Sequence, residues 1–178
     1  MGFCCPKLCG SKPIRILMLG LKGAWKSTLV HRIKFGETTK IPPPIGFSVE
    51  ILSYQGFDLS IWDIDDQIKN GVLWKRYYAE ANGLILVIDS SDTEGFENTA
   101  ENLKILLEEE ELKNCPVLIL ANKQDSDKHF TDDEIKSKLE NKIPTLVGRQ
   151  WKVQGCSAFT GNGISEGFDW LTSIFAKK

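Results

Sequence analysis

Residues 14–20, IRILMLG, are a near-continuous apolar run that stops at a glycine, and no other stretch narrows the possible folds as much. The run fits a strand buried on both faces of a parallel sheet, not an alternating surface strand. A parallel strand needs a crossover before its neighbour, and a helix is the usual one. From Lys26 the segment KSTLVHRIKFGE places Leu29 and Ile33 near helical spacing, with Gly36 as a stop. Between run and helix lies GLKGAWKST, Gly20 to Thr28. Strand, glycine loop and helix, in that order, are what a phosphate site requires, because a helix N-terminus presents unpaired N–H groups.

The rest of the chain repeats the theme. GFSVEILSYQGFDLSIWD reads as two β-rich runs joined by a turn at Gln55 and Gly56, an antiparallel hairpin that makes the sheet mixed. GLILVIDSSD (Gly83 to Asp92) and CPVLILANKQD (Cys115 to Asp125) are buried-type strands that each run into a polar loop. Open α/β sheets bind ligands at the carboxyl ends of their strands, where these loops fall. Thr93 to Leu112 is expected to be one amphipathic helix with Phe96, Leu103, Leu106 and Leu107 inward and Glu108 to Glu111 as a solvated face. Thr131 and Glu134 have the spacing of a capping box, and Phe168, Leu171 and Phe175 share one face of a last helix. This alternation predicts a doubly wound α/β domain.

At 178 residues one domain is the default, and a formal charge of −2 gives no reason to expect nucleic-acid binding. No apolar run reaches bilayer-spanning length and no signal-peptide pattern opens the chain, so a cytoplasmic protein is expected. Cys4, Cys5 and Cys9 crowd the first residues while Cys115 and Cys156 lie far downstream, which is not a disulfide framework.

Taken in order, GLKGAWKST, PPPIGF, WDIDDQ, LWKRYY, NKQD and CSA resemble the motifs of small guanine-nucleotide-binding proteins of the ADP-ribosylation-factor family, over nearly the whole chain from Ile14. The resemblance implies an α/β P-loop three-layer fold, with a mixed, mostly parallel six-stranded sheet flanked by helices. It divides the chain into a flexible arm, 1–13, and one small G domain, 14–178, acting as a monomer. It also implies Mg2+ with GDP or GTP, held by Gly20, Lys22, Gly23, Ala24, Trp25, Lys26, Ser27 and Thr28 of the phosphate loop. Asp63 and Asp66, then Asn122, Lys123 and Asp125, then Ser157 and Ala158 complete the set, with Ser27 and Asp63 as metal ligands. A carboxylate at Asp125 suits the task, since it accepts from the adjacent N1–H and 2-amino donors that only guanine offers. An ATP-using kinase is disfavoured by the same NKQD motif. Gln67 stands where the family orients the attacking water. Phe47, Trp62 and Tyr77 match its effector-binding aromatics, although aromatics in a hairpin are also ordinary core residues.

Several positions depart from the family pattern. Trp25 replaces the second glycine of the phosphate loop, where glycine permits unusual dihedrals and close approach to phosphate. Backbone strain there costs about 1–3 kcal/mol. The indole needs room either where nucleotide lies or toward solvent, and on the first pose Trp25→Gly gains GDP affinity. Pro44 stands where relatives carry a switch threonine and offers neither hydroxyl nor N–H. Asp65 and Asp66 replace two glycines beside the γ-phosphate position. At about 5 Å and an effective dielectric near 20, each carboxylate repels a like charge by roughly 3 kcal/mol, which favours GDP over GTP. Lys22, where an acidic residue is usual, offers a compensating partner. Intrinsic hydrolysis is therefore expected to be very slow or absent.

In the arm, Gly2 occupies the place of an acylated glycine, but Pro6 sits where the pattern prefers Ser or Thr. Cys4 and Cys5 offer thioester sites, and two lipid chains anchor stably where one does not. Two readings follow: a guanine-nucleotide-binding protein that recruits effectors and regulators at membranes with impaired GTP hydrolysis, or a pseudo-GTPase scaffold that binds GDP weakly or not at all. Nucleotide content separates them.

Overall fold

The computed structural model describes residues 13–37, 47–64 and 78–177, with the side chains of Phe47 and Ile64 excepted. The expectations for Gly2, Cys4, Cys5, Pro44, Asp65, Asp66, Gln67, Tyr77 and the Phe47 ring lie outside the described residues.

Six strands form one sheet in the order β2-β3-β1-β4-β5-β6. They are β1 (Ile14–Leu19), β2 (Phe47–Tyr54), β3 (Phe57–Ile64), β4 (Gly83–Asp89), β5 (Val117–Asn122) and β6 (Trp151–Gly155). Among the described residues only the β2–β3 pair is antiparallel; β1 runs parallel to both β3 and β4, and β4, β5 and β6 continue in parallel. The sheet is thus mixed and mostly parallel, and strand order reverses at β1. That is the switch point at which such sheets bind ligands.

Among the described residues the α-helices are α1 (Lys26–Phe35), α2 (Thr93–Leu107), α3 (Asp132–Lys142) and α4 (Ile164–Phe175). Alternate residues of β1 explain the layering. Ile16 and Met18 join Leu29 and Val30 of α1 and Phe168 and Leu171 of α4 in one core, while Leu17 joins Phe96 and Leu103 of α2 and Ile135 and Leu139 of α3 in the other. Phe96 and Phe168 are essentially fully buried, each contributing about 2–3 kcal/mol by burial.

Local signals decide the ends. Gln55 (φ 49) and Gly56 (φ 81) are both left-handed, the requirement of a two-residue turn whose twist suits a hairpin. Gly36 (φ 74) closes α1, and Thr131 with Glu134 forms the reciprocal capping box of α3. The helix expected to run to Leu112 ends instead at Leu107, followed by a 3-10 turn at Glu110–Leu112. Four carboxylates at a helix C-terminus oppose the macrodipole, and Leu112 must turn inward to full burial. Arg149 clamps the stop to the segment that follows, donating to Leu107 O at 3.4 Å at the helix end and to Leu112 O at 2.6 Å and Cys115 O at 3.3 Å beyond it.

The tip of the β2–β3 hairpin is tied to α4. Tyr54 Oη and Gln55 Nε2 each donate to Asp169 Oδ1 at 2.6 Å, and Thr172 Oγ1 donates to Gln55 Oε1 at 3.1 Å.

Candidate nucleotide-binding site

The carboxyl ends of β1, β3, β4, β5 and β6 bring together every described residue that the sequence assigned to nucleotide. Gly20 leaves β1 at φ 147, and a Cβ there would stand 2.2 Å from the Val87 carbonyl oxygen of β4. Only glycine fits, so the loop starts from a fixed point. Ala24 N–H donates to Leu21 O at 3.2 Å, which turns the chain, and Gly23 (φ 89) completes the turn.

Trp25 precedes α1 at φ 63 and ψ 38, in the left-handed region. The backbone therefore keeps a conformation natural to the glycine it replaces, at a cost of about 1–2 kcal/mol for an L-residue. Its carbonyl accepts the first helical bond from Leu29 N–H at 3.0 Å. The indole is half-buried against the α1–α4 core, and the Lys123 ammonium stands 5.2 Å from its ring centroid. The ring thus points toward the base-reading loop.

Lys26 Nζ donates to Gly20 O at 2.7 Å, inside the same loop. Ser27 Oγ donates to Asp63 Oδ2 at 2.5 Å, and Asp63 is 2% exposed. A hydroxyl and a carboxylate in contact at the mouth of the sheet form the hard oxygen pair that Mg2+ takes beside phosphate oxygens and waters, so these residues fit that ion. Bound there, the ion would neutralise phosphate charge. Thr28 is buried on α1, and Lys22 is exposed.

The loops expected to read the base are held together by buried hydrogen bonds. Asn122 is fully buried at the end of β5; its Nδ2 donates to Ala24 O at 2.8 Å and its Oδ1 accepts from Ala158 N–H at 2.8 Å. One amide thereby joins the phosphate loop to the loop after β6. Ser157 Oγ donates to Asp125 Oδ1 at 2.5 Å and accepts from Thr160 N–H at 3.0 Å. Asp125 itself is exposed, ready to accept from a ligand.

Asp89, Ser90 and Gln124 belong to the base-reading end and were missed from the sequence, whereas Lys123 was assigned to it. Lys123, left-handed at φ 68, donates to Asp89 Oδ2 at 2.5 Å. Burial pushes the Asp89 carboxyl up, but its bonds from Lys123 and Ser91 outweigh that and hold it below the usual carboxylate range. Ser90 Oγ donates to Asn122 O at 2.6 Å, and Gln124 Nε2 spans Ser90 Oγ and Phe130 O at 3.1 and 2.9 Å. The polar DSSD after an apolar strand was the available signal.

Trp62 lies away from the nucleotide residues, on the opposite face of β3 from Asp63. It is half-buried, with the Arg15 guanidinium 4.2 Å from its ring centroid. Its cross-strand partner Val49 is 40% exposed and Ile51 on the same face is 49% exposed. The sequence reading had not included these two.

Comparison with known proteins agrees with the geometry. A sequence model of the ADP-ribosylation factor family matches residues 4–175. ADP-ribosylation factor J of Dictyostelium discoideum is 41% identical over 169 residues, covering 95% of this chain and 89% of the relative. ADP-ribosylation factor-like protein 1 of Saccharomyces cerevisiae is 39% identical over 173 residues, covering 97% and 93%. In fold, the chain is similar to the Arl6 BBS3 small GTPase of Trypanosoma brucei, solved with the nucleotide analogue GppNp, at a TM-score of 0.82 and 22% identity, over 93% of this chain and 99% of that one. With its glycine loop, its buried Asn122 and the sheet that places them, the chain belongs to the ADP-ribosylation factor family of small GTPases.

Proposed function

We propose that this family member binds guanine nucleotide with Mg2+, prefers GDP, hydrolyses GTP very slowly if at all, and uses its β2–β3 hairpin to recruit effectors at a membrane. The observation that carries the reading is the Asn122 bridge between the phosphate loop and the Ser157–Ala158 loop, whose Ser157 in turn bonds Asp125. The Ser27–Asp63 pair supports the metal. The preference for GDP and the impaired hydrolysis rest on Pro44, Asp65 and Asp66, whose chemistry opposes a γ-phosphate.

The exposed strip of Val49 and Ile51 beside Trp62 supports the hairpin as a docking surface, since apolar side chains flanked by an aromatic anchor are what interfaces bury. Attachment through Gly2, Cys4 or Cys5 belongs to the same proposal, and intact mass of protein from its native cell decides it.

The principal experiment extracts nucleotide from purified chain and titrates the emptied protein with GDP and GTP. Near-stoichiometric guanine nucleotide, with GDP bound at least tenfold more tightly than GTP, supports the reading. Asp65→Gly with Asp66→Gly should then narrow the gap. A folded chain that takes neither nucleotide decides for the scaffold alternative.

A further inference from the structure

Two non-glycine residues in left-handed conformation face each other across the site. Trp25 (φ 63) belongs to the phosphate loop and Lys123 (φ 68) to the base-reading loop. Such conformations persist where the surroundings over-determine them. For Trp25 the surroundings are the α1–α4 core under the indole and the Lys123 ammonium 5.2 Å from its centroid, within the range at which a cation is drawn to the ring quadrupole. For Lys123 they are the same indole and Asp89 Oδ2, bonded at 2.5 Å. The ammonium is therefore held from two sides, by an anion at the end of β4 and by an aromatic ring at the start of α1.

We propose that Trp25 is a positioning residue for Lys123, so that the grip of the base-reading loop on guanine depends on a side chain of the phosphate loop. The inference rests on the guanine-nucleotide reading above and deepens it. The tryptophan then adds to the base site what it costs in the phosphate loop. It also reverses a sign. If the indole only obstructed nucleotide, Trp25→Gly would tighten GDP binding; if it holds Lys123, removing it frees the lysine and loosens the turn, and binding weakens.

The test is a double-mutant cycle on Mg-GDP affinity, measured by calorimetry on the full chain with Trp25→Leu, Lys123→Ala and both. Trp25→Leu should weaken binding by about three- to tenfold, the range of a partly desolvated cation–π contact. The double variant should lose no more than Lys123→Ala alone, and Trp25→Phe, which keeps a ring face, should recover most of the loss. Losses that multiply independently, or a Trp25→Gly chain that binds GDP more tightly than wild type, overturn the proposal. Thermal melts identify a leucine variant that has lost its fold, in which case Trp25→Phe and Trp25→Gly, each combined with Lys123→Ala, complete the same cycle. A wild-type chain that binds no GDP removes the guanine reading and this inference together; a wild-type chain that binds it with independent losses removes only the coupling.

Discussion

Ser27 Oγ and Asp63 Oδ2 stand 2.5 Å apart, one at the first turn of α1 and the other at the end of β3. Two elements far apart in sequence thus converge on one point, and the contact belongs to the candidate metal position. Ser27→Ala removes one oxygen ligand and leaves the buried carboxylate. GDP affinity in excess Mg2+ should fall at least about tenfold, or about 1.4 kcal/mol, while affinity in EDTA changes little. Calorimetry under both conditions checks it, and equal losses in both would detach Ser27 from the metal.

Asp125 offers a carboxylate already oriented by Ser157. Asp125→Asn exchanges an acceptor for an amide whose NH2 confronts the donors of guanine. Hydrogen bonds to charged groups contribute about 1.5–3 kcal/mol each, so loss of two should weaken GDP by roughly a hundredfold or more. Xanthosine diphosphate, with an acceptor at the 2-position, should gain relative to GDP. Competition between the two ligands gives the ratio directly, and an unchanged ratio would mean that another group reads the base.

Asn122→Ala should act on stability as well as binding. It strands the Ala24 carbonyl and the Ala158 N–H, both deeply buried. At about 1–3 kcal/mol for each unpaired group the loss is about 2–6 kcal/mol. For a domain of this size that corresponds to a fall in Tm of about 5–20 °C by calorimetry. A fall below about 2 °C would show that the bridge is dispensable.

Alkaline titration should loosen the fold at two tyrosines. Burial, followed by the hydrogen bond to Asp169, raises Tyr54 to about 12, and burial, followed by Glu109 and Glu111, raises Tyr78 to about 12. Both folded values lie above the ordinary value of 10, so the stabilisation is intact below pH 10 and is lost as pH rises from 10 toward 12. Tyrosinate absorbance against pH, in folded and urea-unfolded protein, should differ across that window, and Tyr54→Phe should shrink the difference. Coincident curves would contradict it.

Short-range features were legible in the sequence because neighbouring residues decide them. The turn at Gln55 and Gly56, the stop at Gly36 and the capping box of Thr131 and Glu134 need only local backbone geometry. The apolar runs marked the parallel strands, and the motifs in the loops after them marked the site. Features fixed by distant partners were not legible. The direction of the Trp25 ring depends on Lys123, the setting of Lys123 on Asp89, and the early end of α2 on Arg149 binding the Leu107 carbonyl. No windowed pattern holds such pairs. The expectations for Pro44, Asp65 and Asp66 rest on their chemistry, and those for Gln67 and Tyr77 on the family resemblance.

The tie between Asp169 and the hairpin tip couples the edge of the sheet at β2 to the last helix. A chain cut before α4 would forfeit more than that helix's own packing: the hairpin tip would lose a mooring, while β3 would stay paired with β1 from Leu59 to Asp63. Damage to the carboxyl end would therefore reach the sheet's outer hairpin first, through two hydrogen bonds that share one carboxylate oxygen.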